Sequence, residues 1–130
     1  MLAPFEGFVA FLSLTVVLLV AVVVTGFTAR LRAHLTLVAC TVISLGVTIW
    51  YAEQLGKQYN LAAAGVIMPV HLALAKIATL SYLAPLASGF ATLRNRGRKK
   101  LHLRLALTTV ALTVLAAGTG AWMLAAAEPR

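Results

Sequence analysis

Few side chains in this sequence can do chemistry: His34, His71 and His102, a lysine embedded in apolar sequence (Lys76), one cysteine (Cys40) and three glutamates, Glu6, Glu53 and Glu128. No acid lies inside an apolar run, and no serine, cysteine and histidine grouping of hydrolase type occurs. The residues therefore predict a protein that is not an enzyme. What remains is ligand chemistry. A neutral imidazole is a ligand for haem iron and for copper, and histidines on facing helices can supply both axial positions of a b-type haem.

The spacing favours His34 and His102. Each opens a long apolar run, in His34-Leu35-Thr36-Leu37 and His102-Leu103-Arg104-Leu105, and Thr41-Val42 matches Thr109-Val110 at the same offset. The preceding runs end alike, in Thr25-Gly26-Phe27 and Ser88-Gly89-Phe90, each followed by a basic turn that is about five residues longer in the second half. Trp50 and Trp122 close the second and fourth runs. This is the pattern of a duplicated helical hairpin, and it places His34 and His102 at matching ends of parallel helices. Arg30, Arg32, Lys100 and Arg104 stand close enough in sequence to pair with haem propionates. His71 belongs to the other end. About 22 helical residues separate it from the basic turn, some 33 Å, so it is expected to form a separate outer site. Between them these residues predict cofactor or metal binding at His34, His71 and His102, by haem b or copper. The competing reading is that no cofactor binds and the histidines are interfacial residues beside basic neighbours.

The elements that carry these residues follow from composition. The chain has 130 residues, 62% hydrophobic and 11% charged, too little polar surface to cover a water-soluble globule. Four apolar runs, 8–28, 35–51, 67–90 and 103–124, are each about long enough to cross a bilayer. The fold class is thus all-α, an integral membrane four-helix bundle forming one domain over 1–130. Segment 1–6 has no basic residue before the first run, so that run is expected to stay as an anchor and not be cleaved as a signal peptide.

The net charge of +8 is concentrated between helices: Arg30 and Arg32 after the first run, and Arg94, Arg96, Arg98, Lys99, Lys100 and Arg104 around the turn after the third. The acids fall at the opposite ends. The positive-inside rule then makes both basic turns cytoplasmic and both termini external, periplasmic or extracellular, in a multi-pass protein of a bacterial plasma membrane. The basic residues read as topology signals and lipid-headgroup contacts, with no nucleic-acid partner. Trp50, Tyr51, Tyr59 and Trp122 suit an outer aromatic belt. Pro85 should kink the third helix, leaving a carbonyl for Ser81 or Thr79 to satisfy. Lys76 should snorkel outward or pair with Glu53.

The basic turn before His34, His71 opening the third run, Pro85-Leu86, Leu93-Arg94-Asn95-Arg96, His102 and the terminal Thr119-Gly120-Ala121-Trp122-Met123-Leu124 together resemble the YozB-like family of small bacterial membrane proteins, over about 100 residues. Some members of that family are associated with maturation of haem-copper cytochrome c oxidase. The resemblance implies an accessory or assembly protein of a respiratory oxidase, with other membrane subunits as partners. His34, His71 and His102 match histidines of the family pattern, whereas Tyr51-Ala52-Glu53 stands where members tend to carry a further histidine. The architecture also looks like the four-helix b-type cytochromes. That similarity implies the alternative of a b-haem electron-transfer or structural subunit in a larger respiratory or photosynthetic membrane complex.

Overall fold

The computed structural model describes residues 2–130, which divide into two compact units, 2–59 with Arg130 and 60–129. Both are built from antiparallel helices. In the first unit α1 (Pro4–Phe27) packs along α2 (Leu31–Gly56). In the second, α3 (Ile67–Ser81) and α4 (Leu83–Arg94) form one interrupted helix that packs along α5 (Lys99–Ala126). Each unit is a hairpin, and the helices supply four segments long and apolar enough to cross a membrane.

The helices run beyond the apolar runs. α1 starts four residues early because Pro4 is at home in a first turn, where its missing N–H would have no partner anyway. α2 extends to Gly56 and α5 begins at Lys99, since lysine, glutamate and glutamine propagate a helix as well as most apolar residues do. α3 begins at Ile67, two residues before Pro69.

Burial in these hairpins is inverted relative to a water-soluble protein. Thr15, Thr41, Ser44, Thr48, Ser88 and Thr109 are buried, while Val17, Ile43, Leu80, Phe90 and Val114 are each more than 60% exposed. The buried hydroxyls have partners. Thr15 Oγ1 donates to the Phe11 carbonyl at 2.7 Å and meets Ser44 Oγ at 2.8 Å and Thr48 Oγ1 at 3.1 Å across the α1–α2 interface. Thr48 Oγ1 in turn reaches the Ser44 carbonyl at 2.8 Å. Such contacts let polar groups sit between helices without an unmet hydrogen bond.

Pro85 interrupts the second unit as its chemistry requires, ending α3 at Ser81. A proline at 85 cannot donate to the carbonyl four residues back, that of Ser81. The group that fills this vacancy is neither Ser81 nor Thr79, whose hydroxyls donate to the Ala78 and Ala75 carbonyls. It is Thr109 on α5, whose Oγ1 donates to the Ser81 carbonyl at 3.1 Å. One turn along α5, Thr113 Oγ1 pairs with the Tyr82 hydroxyl at 2.9 Å, fixing the residue at the break. Lys76 is exposed.

The aromatic belt needs one correction. Trp50 and Trp122 are exposed, but Tyr51 is buried, with its ring stacked on Phe11 at a centroid distance of 5.7 Å and set against Gly7. Tyr51 is a packing residue because Gly7 has no Cβ to hold it off.

Two outcomes are expected. Thr109→Val should lower stability to unfolding in mild detergent by about 0.5–1.5 kcal/mol, and by clearly less in a Pro85→Ala background, where the residue at 85 can serve the Ser81 carbonyl itself. The α1–α2 turn holds Ala29 at φ 54, a left-handed conformation that a Cβ disfavours. Ala29→Gly should therefore raise stability by about 0.5–1 kcal/mol in the same assay.

Candidate functional site: three glycine-seated histidines

Each histidine is held by the helix opposite it, and in the same way. His34, in the first turn of α2, places Nδ1 3.0 Å from the Val22 carbonyl and 3.3 Å from Thr25 Oγ1 on α1. His102, in the first turn of α5, places Nδ1 2.9 Å from Ser88 Oγ on α4. His71, in α3, places Nδ1 3.1 Å from Thr119 Oγ1 on α5 and also hydrogen-bonds the Ala116 backbone.

The proton position on His34 follows from its partner. A carbonyl can only accept, so His34 Nδ1 carries the hydrogen. Ser88 Oγ donates to the Pro85 carbonyl at 3.3 Å, and Thr119 Oγ1 to the Leu115 carbonyl at 2.8 Å. All three rings are thus anchored through Nδ1 by oxygen atoms of the facing helix. Nδ1–H bound to an oxygen, with Nε2 as base, is the arrangement in which proteins orient a metal-ligating imidazole.

The residue next to each hydroxyl is glycine, and the ring edge lies on it. A Cβ built at Gly26 would stand 3.3 Å from His34 Cε1, one at Gly89 3.3 Å from His102 Cε1, and one at Gly120 2.8 Å from His71 Cε1. The dipeptides Thr25-Gly26, Ser88-Gly89 and Thr119-Gly120 therefore act as one device: the hydroxyl orients the ring, and the glycine lets it approach the helix backbone. By contrast, Gly46 and Gly118 face open space.

The sequence similarity of the two hairpins has counterparts in this geometry. Thr25 Oγ1 reaches the Val22 carbonyl at 3.1 Å as Ser88 Oγ reaches that of Pro85, and both pairs of residues are 63 positions apart in the chain. His34 bonds that carbonyl directly, whereas His102 reaches it through Ser88. Buried Thr41 and Thr109, and buried Leu55 and Met123, share the 68-residue offset of the two histidines. Trp50 and Trp122 do not, being 72 apart, so they are not equivalent positions.

His71 stands apart from His102 within its unit. Its partner Thr119 lies 17 residues along α5 from His102, about 26 Å at 1.5 Å per residue. The helix register thus separates the two imidazoles as the sequence spacing does, at a somewhat shorter distance. Cys40 is exposed on α2. Among the described residues, no three of His, Cys, Asp and Glu gather closely enough to hold a metal ion between them. Sequence reasoning missed the partners Thr25, Ser88 and Thr119 as histidine-orienting groups. The available signal was a serine or threonine followed by glycine on the helix opposite each histidine. Comparison with family models, with curated proteins and with solved structures gives no match for this chain.

The glycines separate by what they touch. Gly120→Ala should destabilise the protein by about 1–3 kcal/mol in a detergent unfolding assay, because the His71 ring must move to admit the methyl group. Gly46→Ala and Gly118→Ala, in open helix positions, should be neutral or stabilising by up to about 1 kcal/mol.

Proposed function

We propose that this chain is a non-enzymatic, multi-pass protein of a bacterial plasma membrane that holds or hands on haem or copper through its imidazoles, as an accessory or assembly factor of a haem-copper respiratory oxidase. The observation that carries the ligand part is the shared anchoring: three rings are held through Nδ1 by the facing helix, and imidazole donors suit iron or copper. A bound haem would supply redox chemistry or be cargo in transit. The chain's own part is to fix ring orientation through Thr25, Ser88 and Thr119.

The membrane reading is supported by the inverted burial, with hydroxyls inside and large aliphatic side chains outside. Orientation, with both termini external, is read from the basic turns by the positive-inside rule. The oxidase association rests on the sequence resemblance alone, and the partners it implies are other membrane subunits.

A second reading has a specific observation behind it. Rings seated on glycines at the ends of hairpins are also interhelical clasps, which would serve a subunit whose histidines bind nothing. The two readings diverge in an absorption spectrum with metal analysis of the gently solubilised full-length protein, before and after supply of haem or copper. A Soret band or bound copper is expected, lost or at least tenfold weakened in His34→Ala with His102→Ala. A colourless, metal-free protein after both additions would leave the clasp. Tight stoichiometric haem would instead favour an electron-transfer subunit over an assembly factor, for which weak or substoichiometric loading and lost oxidase activity on gene deletion are expected.

A further inference from the structure

The strongest charged feature outside the histidine sites is the turn of the second hairpin. α4 ends at Arg94; Asn95 is extended, and its Oδ1 accepts the Gly97 N–H at 3.0 Å, setting up a tight helical turn over Arg96–Arg98 that leads into α5 at Lys99. Within eleven residues, Arg94, Arg96, Arg98, Lys99, Lys100 and Arg104 are all exposed. The first turn of α5 adds to their field. It contains no acid and has no side-chain cap, so its backbone N–H groups present the positive end of a 28-residue helix dipole. The only acid in this unit, Glu128, lies beyond the opposite end of α5.

Two features specify what meets this charge. Flanking it on α4 and α5 are exposed apolar side chains, Phe90, Leu93, Leu101 and Leu103, continuous with segments apolar enough to cross a bilayer. Charge immediately above apolar surface suits a ligand carrying phosphate at one end and acyl chains at the other. Nucleic acid would meet the cations but not the aliphatic rim. The first hairpin turn, with Arg30 and Arg32 on a short link, offers much less charge.

We infer that the α4–α5 turn is a binding site for an anionic phospholipid, and that a headgroup bearing two phosphates is preferred over one bearing a single phosphate. Arg96, Arg98, Lys99 and Lys100 engage the phosphate oxygens, while Phe90 and Leu101 lie along the acyl chains.

The test uses the full-length protein in nanodiscs of phosphatidylcholine doped with a fluorescent cardiolipin, a fluorescent phosphatidylglycerol or a fluorescent phosphatidylcholine, with energy transfer read from a dye on the introduced thiol of a Cys40→Ser, Leu93→Cys background, beside the turn itself. Enrichment of cardiolipin over phosphatidylcholine is expected, with phosphatidylglycerol between them and the enrichment falling as salt is raised. The quadruple variant R96Q/R98Q/K99Q/K100Q should lose about tenfold or more of the cardiolipin preference. R30Q/R32Q should keep it. Circular dichroism of each variant separates loss of binding from loss of fold, and if the quadruple variant unfolds, the pair R96Q/R98Q replaces it with a proportionally smaller loss expected. Equal distribution of the three lipids around the wild-type protein would overturn the proposal. So would a preference unaffected by the substitutions, or one abolished by inorganic pyrophosphate or an oligonucleotide at concentrations that leave lipid order unchanged, which would identify a soluble polyanion as the ligand. A metal-free preparation should show the same lipid preference, so failure here and failure of the cofactor reading are separable.

Discussion

In this chain, polar groups placed among apolar helices must find their hydrogen bonds within the protein, and most of the interior is organised by that requirement. Buried Thr15, Thr41, Thr48 and Ser88 return their protons to carbonyls three or four residues back, while Ser44 and Thr109 donate to a carbonyl on the facing helix. The hydroxyls of Thr119 and Ser88 meet Nδ1 of the histidines facing them, and Thr15 sits 1% exposed without an unmet partner. The same rule explains the break in the second hairpin. Proline removes one donor from the helix ladder, and a threonine from the helix opposite supplies another.

The two hairpins answer one packing problem with the same parts in different places. Close approach of two helices needs a small residue wherever a ring crosses the interface. At the basic-turn ends, Gly26 and Gly89 receive His34 and His102. At the far ends the exchange is reversed. In the first unit α1 contributes Gly7 and α2 the ring of Tyr51; in the second, α3 contributes the ring of His71 and α5 the glycine, Gly120. The far end of the first hairpin therefore carries a phenol stacked on Phe11, and that of the second an imidazole on a hydroxyl. If imidazoles are the ligand groups, the two units are not chemically equivalent despite their similar sequence patterns.

Apart from the histidines, the differences between the hairpins gather at the turns. Three residues join α1 to α2, at the cost of a left-handed alanine, whereas the α4–α5 connection spends extra residues on an asparagine-capped turn dense in cations. A short strained link fixes two helices closely; a longer charged one presents a surface. The concentration of positive charge on one turn gives the second hairpin a more polar contact with its surroundings than the first.

What the sequence determined by itself is what depends on composition and period. Four long apolar runs among so few charges require helices, the basic turns and their acid-free surroundings mark the helix ends, and the repeated Thr/Ser-Gly-Phe and His-Leu segments mark two hairpins of similar pattern. Pro85 announced a break. Only the tertiary structure decided which groups meet across each hairpin, because in a chain where apolar side chains cover nearly every face, hydropathy carries no information on which face turns inward. That Thr109 serves the Ser81 carbonyl, that Tyr51 is interior rather than interfacial, and that each histidine is oriented by the hydroxyl beside a glycine all depend on helix rotation and register. Those are set by the fit of rings onto glycines and by the pairing of hydroxyls, contacts between residues 9 to 48 positions apart that a linear pattern does not display.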